Sequence, residues 1–570
     1  MRVRRTSQGM VVRAVAGAHV VLLGMDLERT QCAGLMGFAI HRTDHTENEA
    51  YWLEGLKTFA STDPHLAPGK HYPTNAHPIQ GFTWSDFSAK PGHRYTYRVQ
   101  ALKGPPEALK KYRQVEVTVV TESAAAGSHQ VHFNRGAAAS QEYARRFKQQ
   151  PPLERAPADD PRWAWLSRGA AEAILAFVAR ATGPGEALRM SAYEFRWPAL
   201  AQALKAAIER GVDVQVLHDA SPHPADAKTG RVFPRDDNLD TAAAAGLGNA
   251  VQPRITRSDV KSPPISHHKF IVLLQAGKPR AVLTGSTNFS NGGVYGQSNV
   301  VHVVENARVA QAYLRCWEQI AANPSPQALR AALARLNLPA QGRPPAGTGA
   351  IFSPQSGEAT LRWYAELAAG AEGALMMTFA FGMNAQFRDA YRGGKAALRY
   401  ALLDKLLSSG VSKDKRAAAE AEMLALRKQV ENRFAVGNRL VTNLFDRWLS
   451  ETLTGLNSHV QYIHTKFMLI DPLGVDPIVI SGSANFSEAS TTDNDENMLV
   501  VRGDTRVADV YVGEYMRLWN HYAFREWAAS PRAKGGEGFQ HLDVTDQWWR
   551  GYFGNSARSR QRQYFAATKA

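Results

Sequence analysis

The sequence has few cysteines and lacks long apolar runs. Cys32 and Cys316 are the only cysteines in 570 residues, so neither a disulfide framework nor a cysteine-based zinc site can be built. The apolar stretch at 10–25 is interrupted by Arg13 and His19. That makes it a poor signal peptide and too short and polar to span a bilayer. We therefore expect a cytoplasmic protein, with export by a route without a cleaved signal as the alternative.

Acidic residues are also under-represented. The chain has 67 Lys and Arg against 52 Asp and Glu, which leaves a net charge of +15. Such an excess favours polyanionic partners, either nucleic acid or an anionic phospholipid membrane, although a merely basic protein is the simpler alternative. A hydrophobic content of 44% and a charged content of 21% are ordinary for a globular protein. The length suggests three or four structural units.

Residues 1–125 have the pattern of an all-β sandwich domain. The strand candidates are separated by turn-rich segments and lie at 11–23, 35–42, 95–102 and 115–122. Side chains alternate clearly in RYTYRVQAL, which ends at residue 102. The stretch 82–102 resembles the later half of a fibronectin type III-like sandwich. We interpret this domain as a spacer or as a module that binds a protein partner.

The rest of the chain alternates helices with strands and does so twice. The repeat predicts two α/β lobes, at 130–330 and 350–530, that form a pseudo-dimer about an approximate two-fold axis. A Pro- and Gly-rich linker at 337–350 joins them. The segment at 405–445 adds a charged, helix-favouring insertion. The basic and aromatic tail at 531–570 contains Trp548 and Trp549, which we expect to pack onto the body, with base stacking or lipid insertion as alternatives.

One polar pattern occurs in both lobes. HHKFIVLL at 267–274 corresponds to HTKFMLID at 464–471, and AVLTGSTNFS at 281–290 corresponds to IVISGSANFS at 478–487. In each copy a Gly-Ser-x-Asn-Phe-Ser sequence begins 16 residues after the lysine. A repeat that keeps polar residues within two apolar strands needs a chemical explanation.

Strand alternation places the polar residues of each copy on one face. The two patches would consist of His267, Lys269, Ser286 and Asn288 in one lobe and of His464, Lys466, Ser483 and Asn485 in the other. Two histidines, two cations and several neutral donors can cleave a phosphodiester without a metal or cofactor. One histidine attacks phosphorus, the other protonates the leaving oxygen, and the lysines and asparagines bind the equatorial oxygens, with the serines as further donors.

The second copy, from His464 and Lys466 through Asp471 to Ser483 and Asn485, resembles the HKD signature of the phospholipase D superfamily. The resemblance covers both lobes, roughly 130–525. It implies one active site at the lobe interface, no metal, and a phosphohistidine intermediate. Relatives of this kind include phospholipases, lipid synthases, nucleases and a tyrosyl-DNA phosphodiesterase.

The first copy departs from this signature because Leu274 stands where the second has Asp471. Alternation places Asp471 away from the histidine face, so we interpret it as structural support at the strand end. A second asymmetry is Glu496, which we align with Ser298 of the first lobe. The resemblance implies that an acidic residue at this place hydrogen-bonds one catalytic imidazole.

Three further polar residues are assigned non-catalytic roles. His268 projects to the face opposite His267 and is expected to pack in the core or at the surface. Glu194 and Asp219 lie near strand ends and could replace the missing carboxylate, but simple solvation is the favoured interpretation.

Three functions fit these residues. A nuclease is favoured because of the basic charge. The alternative is a phospholipase D or phosphatidyl transferase that acts on membrane phospholipids. A catalytically degenerate binding module is the third, and the retention of His267, Lys269, Ser286 and Asn288 in the altered copy argues against it.

Overall fold

The computed structural model describes the whole chain except residues 68, 124, 126, 137–140, 149, 151, 153–159, 257–263, 408–410, 438–461, 529–540 and 567–570. The last part of the predicted insertion at 405–445 and the first part of the predicted tail therefore lie outside the described residues. No described helix is both long and apolar enough to cross a membrane.

The N-terminal part consists of two four-stranded antiparallel sheets, with strand orders β1-β2-β3-β8 and β10-β9-β4-β5. Alternate side chains of β9, including Tyr95, Tyr97 and Val99, are fully buried in the core between the sheets. The strands are β1 (Arg2–Ser7), β2 (Met10–Ala16), β3 (Val21–Leu27), β4 (Leu35–Asp44), β5 (Glu49–Trp52), β6 (Glu54–Gly55), β7 (Tyr72–Pro73), β8 (Thr83–Asp86), β9 (Arg94–Lys103) and β10 (Lys110–Val120).

This all-β part confirms the predicted N-terminal sandwich, and its likeness to fibronectin type III stays a prediction. The strand expected at 11–23 was wrong in one respect, because a turn at Gly17 divides it into β2 and β3. There the amide of Gly17 donates to the carbonyl of Val20 at 2.9 Å.

Lobe 1 is built on a seven-stranded sheet with order β11-β19-β17-β16-β12-β14-β15. Its elements are β11 (His129–Phe133), α1 (Gln141–Phe147), α2 (Pro161–Ser167), α3 (Ala170–Ala179), β12 (Glu186–Ala192), β13 (Phe195–Arg196), α4 (Pro198–Glu209), β14 (Asp213–Asp219), α5 (Arg235–Ala244), β15 (Val251–Arg254), β16 (Lys269–Gln275), β17 (Lys278–Gly285), β18 (Phe289–Ser290), β19 (Val300–Val304), α6 (Ala307–Ala321) and α7 (Pro326–Ala334). The helix α2 ends and α3 begins at Arg168 and Gly169, because both of these residues have a left-handed backbone.

Lobe 2 repeats the same sheet with order β20-β26-β25-β24-β21-β22-β23. Its elements are β20 (Gly347–Ser353), α8 (Ala359–Ala369), β21 (Ala374–Phe379), α9 (Ala385–Gly393), β22 (Leu398–Leu403), α10 (Lys413–Lys428), β23 (Asn432–Val436), β24 (Phe467–Ile470), β25 (Ile478–Gly482), α11 (Glu488–Thr492), β26 (Glu496–Arg502) and α12 (Thr505–Ala528). In both sheets two parallel strand pairs lie at one edge and antiparallel pairs at the other. The equivalent order confirms the predicted pseudo-dimer.

A continuous apolar core joins the two lobes. Phe270 and Tyr313 of lobe 1 belong to the same buried cluster as Phe467 and Tyr511 of lobe 2, and the Phe133 and Phe467 rings meet edge to face with centroids 5.8 Å apart. A shared core of this kind holds the lobes in one relative position, which an active site assembled from both lobes requires.

The C-terminal segment packs on the N-terminal sandwich. Trp548 and Trp549 contribute to its apolar core, and Trp548 Nε1 donates to the carbonyl of Leu35 at 2.8 Å. Helix α13 (Ala557–Ala566) crosses β3 so closely that a Cβ on Gly24 would lie 2.2 Å from the carbonyl oxygen of Phe565. The tryptophan pair therefore anchors the chain end, as the packing interpretation expected.

Candidate active site

The two motif histidines immediately precede equivalent strands at the lobe interface. His267 comes just before β16 and His464 just before β24, so each lies outside the strand predicted to carry it. The amide of His267 donates to the carbonyl of Asp495 at 2.9 Å, and the amide of His464 donates to that of Ser298 at 3.2 Å. Each histidine is therefore held against the other lobe, and the ring centroids of His267 and His464 lie 6.4 Å apart.

The glycine of each Gly-Ser-x-Asn sequence permits close strand packing. A Cβ on Gly285 would lie 2.1 Å from the carbonyl oxygen of Val300, and a Cβ on Gly482 would lie 2.1 Å from that of Asn497. No side chain fits at either position. The glycines thus bring β19, which directly follows Asn299, and β26, which begins at Glu496, close to the motif turns.

His267 receives its partner from the opposite lobe. Its Nδ1 lies 2.9 Å from both carboxylate oxygens of Glu496, the first residue of β26. Because Nδ1 donates to the carboxylate, Nε2 is left as the reactive nitrogen. Burial raises the pKa of Glu496, against the opposing pull of Lys269.

His464 receives a neutral partner in the same geometry. Its Nδ1 lies 2.9 Å from Oδ1 of Asn299. The Asn299 amide is oriented by two other contacts, since its Nδ2 donates to the carbonyl of Gly293 at 2.8 Å and its Oδ1 accepts from the Ser286 hydroxyl at 2.8 Å. Nδ1 of His464 is therefore the protonated nitrogen, and Nε2 is again free to react.

The sequence alignment of Glu496 with Ser298 was wrong by one residue. The counterpart of Glu496 is Asn299, because Ser298 occupies the place of Asp495, and these two residues form the matching bridges Ser298–Ile463 and Ser266–Asp495 between lobes. Counting from the glycine of each motif would have identified Asn299. No separate signal in the sequence indicated the role of Asn299.

Both motif lysines are fully buried beside the histidines. Lys269 Nζ donates to the carbonyl of His267, and Lys466 Nζ donates to that of His464, each at 2.7 Å. Burial lowers the pKa of Lys269 to about 7, against the opposing pull of Glu496. Burial and the proximity of Lys269 lower the pKa of Lys466 as well.

The surroundings of both histidines favour the neutral imidazole. Burial, followed by the charges of Lys269 and Lys466, holds the pKa of His267 well below its usual range. The same three causes, with Lys466 ahead of Lys269, lower the pKa of His464. A phosphodiester anion placed between them would favour their charged forms, because opposite charge raises the pKa of an imidazole.

His267 and His464 open into a cavity of about 430 Å³ between the lobes. The two motif asparagines line it as well. Asn288 Nδ2 donates to Glu194 at 2.9 Å, and the buried Oδ1 atoms of Asn288 and Asn485 have no hydrogen-bond partner among the described residues. Polar atoms without partners in a lined cavity indicate a binding site for a polar ligand.

The motif serines lie behind the histidines and do not line the cavity. The Ser286 hydroxyl donates to Asn299 and accepts from the Val300 amide at 3.1 Å. The Ser483 hydroxyl accepts from the Asn497 amide at 3.0 Å. Both hydroxyls are engaged with the neighbouring strand, which fits a supporting role, and contact of these serines with phosphate stays a prediction.

Asp471 closes the end of β24, far from the histidine face. Its carboxylate accepts from the amides of Glu372, Gly373 and Ala374 at 2.6 to 3.2 Å. Leu274, its counterpart, is an apolar residue of β16 paired with Ala187. The carboxylate thus ties one strand end to a loop, and the first lobe closes the same point with an apolar contact.

Asp219 and Glu194 are buried, so their expected solvation was wrong. Asp219 Oδ1 accepts from the amide of Ser266, directly before His267, at 2.8 Å. Asp404 accepts in the same way from the amide of Ile463 at 3.0 Å. Each carboxylate fixes the residue before a histidine.

His268 is fully buried on the face away from the cavity. Its Nδ1 lies 3.1 Å from Nδ2 of Asn497, and burial lowers its pKa to about 4. It packs against the ring of Phe270.

Comparison with known proteins finds a family match in both lobes. The family described as "Cardiolipin synthase, PLD-like domain" matches residues 175–321 and 424–519. No curated protein matches. Distant structural similarity is found to phosphatidylserine synthase from Haemophilus influenzae, with 12% identity, a TM-score of 0.43, and coverage of 70% of this chain and 94% of that one.

Two other solved structures also show distant similarity. Polyphosphate kinase from Porphyromonas gingivalis has 13% identity and a TM-score of 0.35 over 60% of this chain, which spans about half, 46%, of the kinase. Nuc from Salmonella typhimurium, a phospholipase D family member, has 18% identity and a TM-score of 0.22 over 30% of this chain and 94% of its own. The family match at 175–321 and 424–519 lies in both lobes, so each lobe is similar to a PLD-like domain.

Proposed function

We propose that the protein cleaves phosphodiester bonds in two steps, without a metal, through a phosphohistidine formed on His267. The observation that carries the proposal is the unequal support of two imidazoles that face one cavity. Glu496 supports His267 and Asn299 supports His464, each at 2.9 Å. Neutral, Nε2-exposed imidazoles suit one nucleophile and one proton carrier.

His267 is the better nucleophile because its partner is charged. When Nε2 bonds to phosphorus, the ring becomes cationic, and a carboxylate at Nδ1 stabilises that charge more than an amide does. The burial of Glu496, which is 1% exposed, strengthens the interaction. Glu496 thereby lowers the free energy of the phosphohistidine intermediate.

His464 is the better acid because its partner is neutral. Asn299 holds the ring in place without stabilising the imidazolium, so a proton that enters with the substrate is readily given to the leaving oxygen. In the first step the bond from His267 Nε2 to phosphorus forms while the bond to the leaving alkoxide breaks. In the second step neutral His464 takes a proton from water, whose oxygen displaces His267 from phosphorus.

Charged and neutral donors bind the phosphate oxygens. Lys269 and Lys466 are buried beside the histidines, where a bound phosphate would favour their charged forms. The amides of Asn288 and Asn485 lie at the cavity wall. These donors are already in place before the reaction, which is the condition under which electrostatic stabilisation of a trigonal-bipyramidal phosphorus is most effective.

Two substrate classes, nucleic acid and phospholipid, fit this chemistry. The net charge of +15 supports the predicted preference for nucleic acid, and a phospholipase D or phosphatidyl transferase activity shares the same chemistry. Among the described residues that line the cavity, Arg196 is the single permanently charged cation, and it is paired with Glu194 at 2.8 Å. The cavity therefore does not continue the basic character of the whole chain.

Cleavage in the presence of EDTA tests the chemistry. The probes are bis(p-nitrophenyl) phosphate, single- and double-stranded DNA, RNA, and vesicles of mixed anionic and choline phospholipids. We expect turnover of the chromogenic diester without metal, lost in His267→Ala. His464→Ala should release about one equivalent of p-nitrophenol per protein and then stop, because the phosphohistidine on His267 cannot be hydrolysed.

Three outcomes would contradict the proposal. They are full activity in His267→Ala, a strict requirement for a metal, or a phosphorylated residue other than His267 in the quenched His464→Ala protein. Histidine-dependent degradation of DNA or RNA would identify a nuclease, and release of a headgroup from vesicles would identify a phospholipase.

A further inference from the structure

We propose that Glu194 and Phe381 sort the two arms of an asymmetric phosphodiester: a small arm with a hydrogen-bond donor lies against Glu194 and stays on phosphorus, while an apolar arm lies against Phe381 and leaves. The inference rests on the proposed function. It concerns the residues that line the cavity apart from the catalytic groups.

The two residues occupy corresponding positions in the two lobes. Strand β12 pairs with the lysine-bearing strand of its lobe so that Ala192 lies opposite Lys269, two residues before Glu194. In lobe 2 the antiparallel ladder ends at the pair Met377 and Met468. Continuing that register by two residues would place residue 379 opposite Lys466, two residues before Phe381. Both Glu194 and Phe381 line the cavity. The pseudo-two-fold axis therefore relates a carboxylate to a phenyl ring.

Glu194 retains acceptor capacity for a ligand. Its side chain is 11% exposed, its Oε1 accepts from Asn288 at 2.9 Å and its Oε2 accepts from Arg196 at 2.8 Å. Each carboxylate oxygen can accept a second hydrogen bond. Arg196 is shared with Asp237 at 3.3 Å, so it does not fully neutralise Glu194. This wall favours a hydroxyl or ammonium group and opposes an anionic or purely apolar arm.

The remaining surface of that wall does not cancel this preference. Phe233 also lines the cavity, but the guanidinium of Arg196 lies over its ring, 4.8 Å from the centroid. His223 is hydrogen-bonded through Nε2 to Asp219 at 3.1 Å. Tyr193, Pro224 and Ile265 also line this wall, and among the described residues that line the cavity Glu194 is the one carboxylate.

Phe381 offers the opposite chemistry. It is 45% exposed, although large apolar side chains are usually covered. It lines the cavity that holds both histidines. An aromatic or alkyl arm that covers this ring removes apolar surface from water, which stabilises binding.

In-line displacement determines which arm leaves and which arm stays on phosphorus. The leaving oxygen must be opposite the attacking nitrogen, so an attack by His267 from lobe 1 directs the leaving arm toward His464 and the Phe381 wall of lobe 2. The bond from His267 Nε2 to phosphorus forms, the bond from phosphorus to the apolar alkoxide breaks, and His464 protonates that alkoxide. The donor-bearing arm remains on phosphorus until water releases it as a monoester.

A pair of isosteric diesters tests the sorting. Benzyl 3-hydroxypropyl phosphate and benzyl butyl phosphate differ by one hydroxyl, and all arms are alcohols of similar leaving ability. We expect kcat/KM to favour the hydroxypropyl diester by about tenfold to a hundredfold, because a site built to accept a donor discriminates against the analogue that lacks it. The products should be benzyl alcohol and 3-hydroxypropyl phosphate, identified by mass spectrometry.

Variants separate specificity from folding. Glu194→Gln should reduce the ratio of the two kcat/KM values at least fivefold, whereas a general structural defect would lower both values together. Asp237→Asn, which removes the other partner of Arg196 outside the cavity, should leave the ratio unchanged. Phe381→Ala should raise KM for both benzyl diesters severalfold and leave their ratio unchanged.

Different results would contradict the sorting of the arms and the phosphodiesterase activity itself. Turnover of bis(p-nitrophenyl) phosphate that depends on His267, with equal kcat/KM for the two test diesters or release of the hydroxypropyl arm, would overturn the sorting and leave the phosphodiesterase intact. A strong preference for DNA or RNA over both diesters would also overturn it. Turnover that does not depend on His267 would contradict both the sorting and the phosphohistidine mechanism.

Discussion

The carboxylate of Glu496, in lobe 2, holds Nδ1 of His267, in lobe 1, at 2.9 Å. The equivalent contact in the other direction joins Asn299 of lobe 1 to His464 of lobe 2. Each histidine thus depends on a residue from the opposite lobe, so neither lobe holds a complete site. The difference between a carboxylate and an amide is what distinguishes two otherwise equivalent histidines.

Replacing Glu496 by Gln should selectively impair formation of the phosphohistidine. The amide keeps the side-chain shape but no longer stabilises the cationic ring, so we expect kcat to fall by about 10²- to 10³-fold. Stopped-flow release of p-nitrophenol from bis(p-nitrophenyl) phosphate measures this step. Asn299→Asp is the matched control, because it adds a carboxylate at His464 and should raise the pH at which the acid step is lost. A Glu496→Gln protein with unchanged kcat would contradict the assignment of His267.

Binding of an anion should be accompanied by uptake of a proton. Burial and the neighbouring lysines lower the pKa of His464 in the empty site, and a bound anion raises it, so the complex holds more protons than the free protein. Affinity should therefore fall as pH rises, by at most about tenfold per unit. Dimethylphosphinate is a suitable probe because it has the charge of a diester and no alkoxide to lose.

Calorimetry in buffers of different ionisation enthalpy measures the number of protons taken up. We expect about one proton near neutral pH. His464→Gln should bind dimethylphosphinate with markedly less uptake, and His268→Gln, which alters a histidine outside the cavity, should not. Uptake that is unchanged in His464→Gln would place the proton elsewhere.

The sequence predicted most of what repeats and little of what differs between the lobes. Periodicity and the paired motif identified both sheets, both histidines and both lysines, because those residues recur at fixed spacing. The counterpart of Glu496 was misaligned by one position, since Ser298 and Asn299 are both polar, and no partner was predicted for the second histidine. The sequence did not predict that Glu194 and Phe381 occupy equivalent positions in the two lobes. Their equivalence depends on the register between β12 and β16, which is set by three-dimensional pairing.

Asp471 should matter for stability and not for chemistry. It accepts three backbone amides and has a left-handed backbone with φ of 47°. Asp471→Ala loses the acceptor and is strained at this φ, so we expect the free energy of unfolding to fall by about 2 kcal/mol. Asp471→Asn keeps one acceptor oxygen and tolerates this backbone, so its loss should be smaller.

Activity per folded molecule separates the two roles of this position. We expect kcat within about twofold of the original protein for Asp471→Asn and for Leu274→Asp, because both positions are remote from the cavity. Urea unfolding gives the stability, and the chromogenic diester gives kcat. A large fall in kcat in the fully folded Asp471→Asn protein would show that the carboxylate acts in catalysis.

His132 should make the folded protein sensitive to acid. It is 6% exposed, neither ring nitrogen has a hydrogen-bond partner among the described residues, and burial lowers its pKa to about 4. Below pH 6.5 the unfolded chain binds a proton here that the folded chain does not, so stability is lost as pH falls from 6.5 toward 4. The loss at pH 5 should be about 2 kcal/mol. His132→Phe should remove it, whereas the exposed His65→Gln should not; equal urea midpoints for His132→Phe and the original protein from pH 7 to 5 would contradict the assignment.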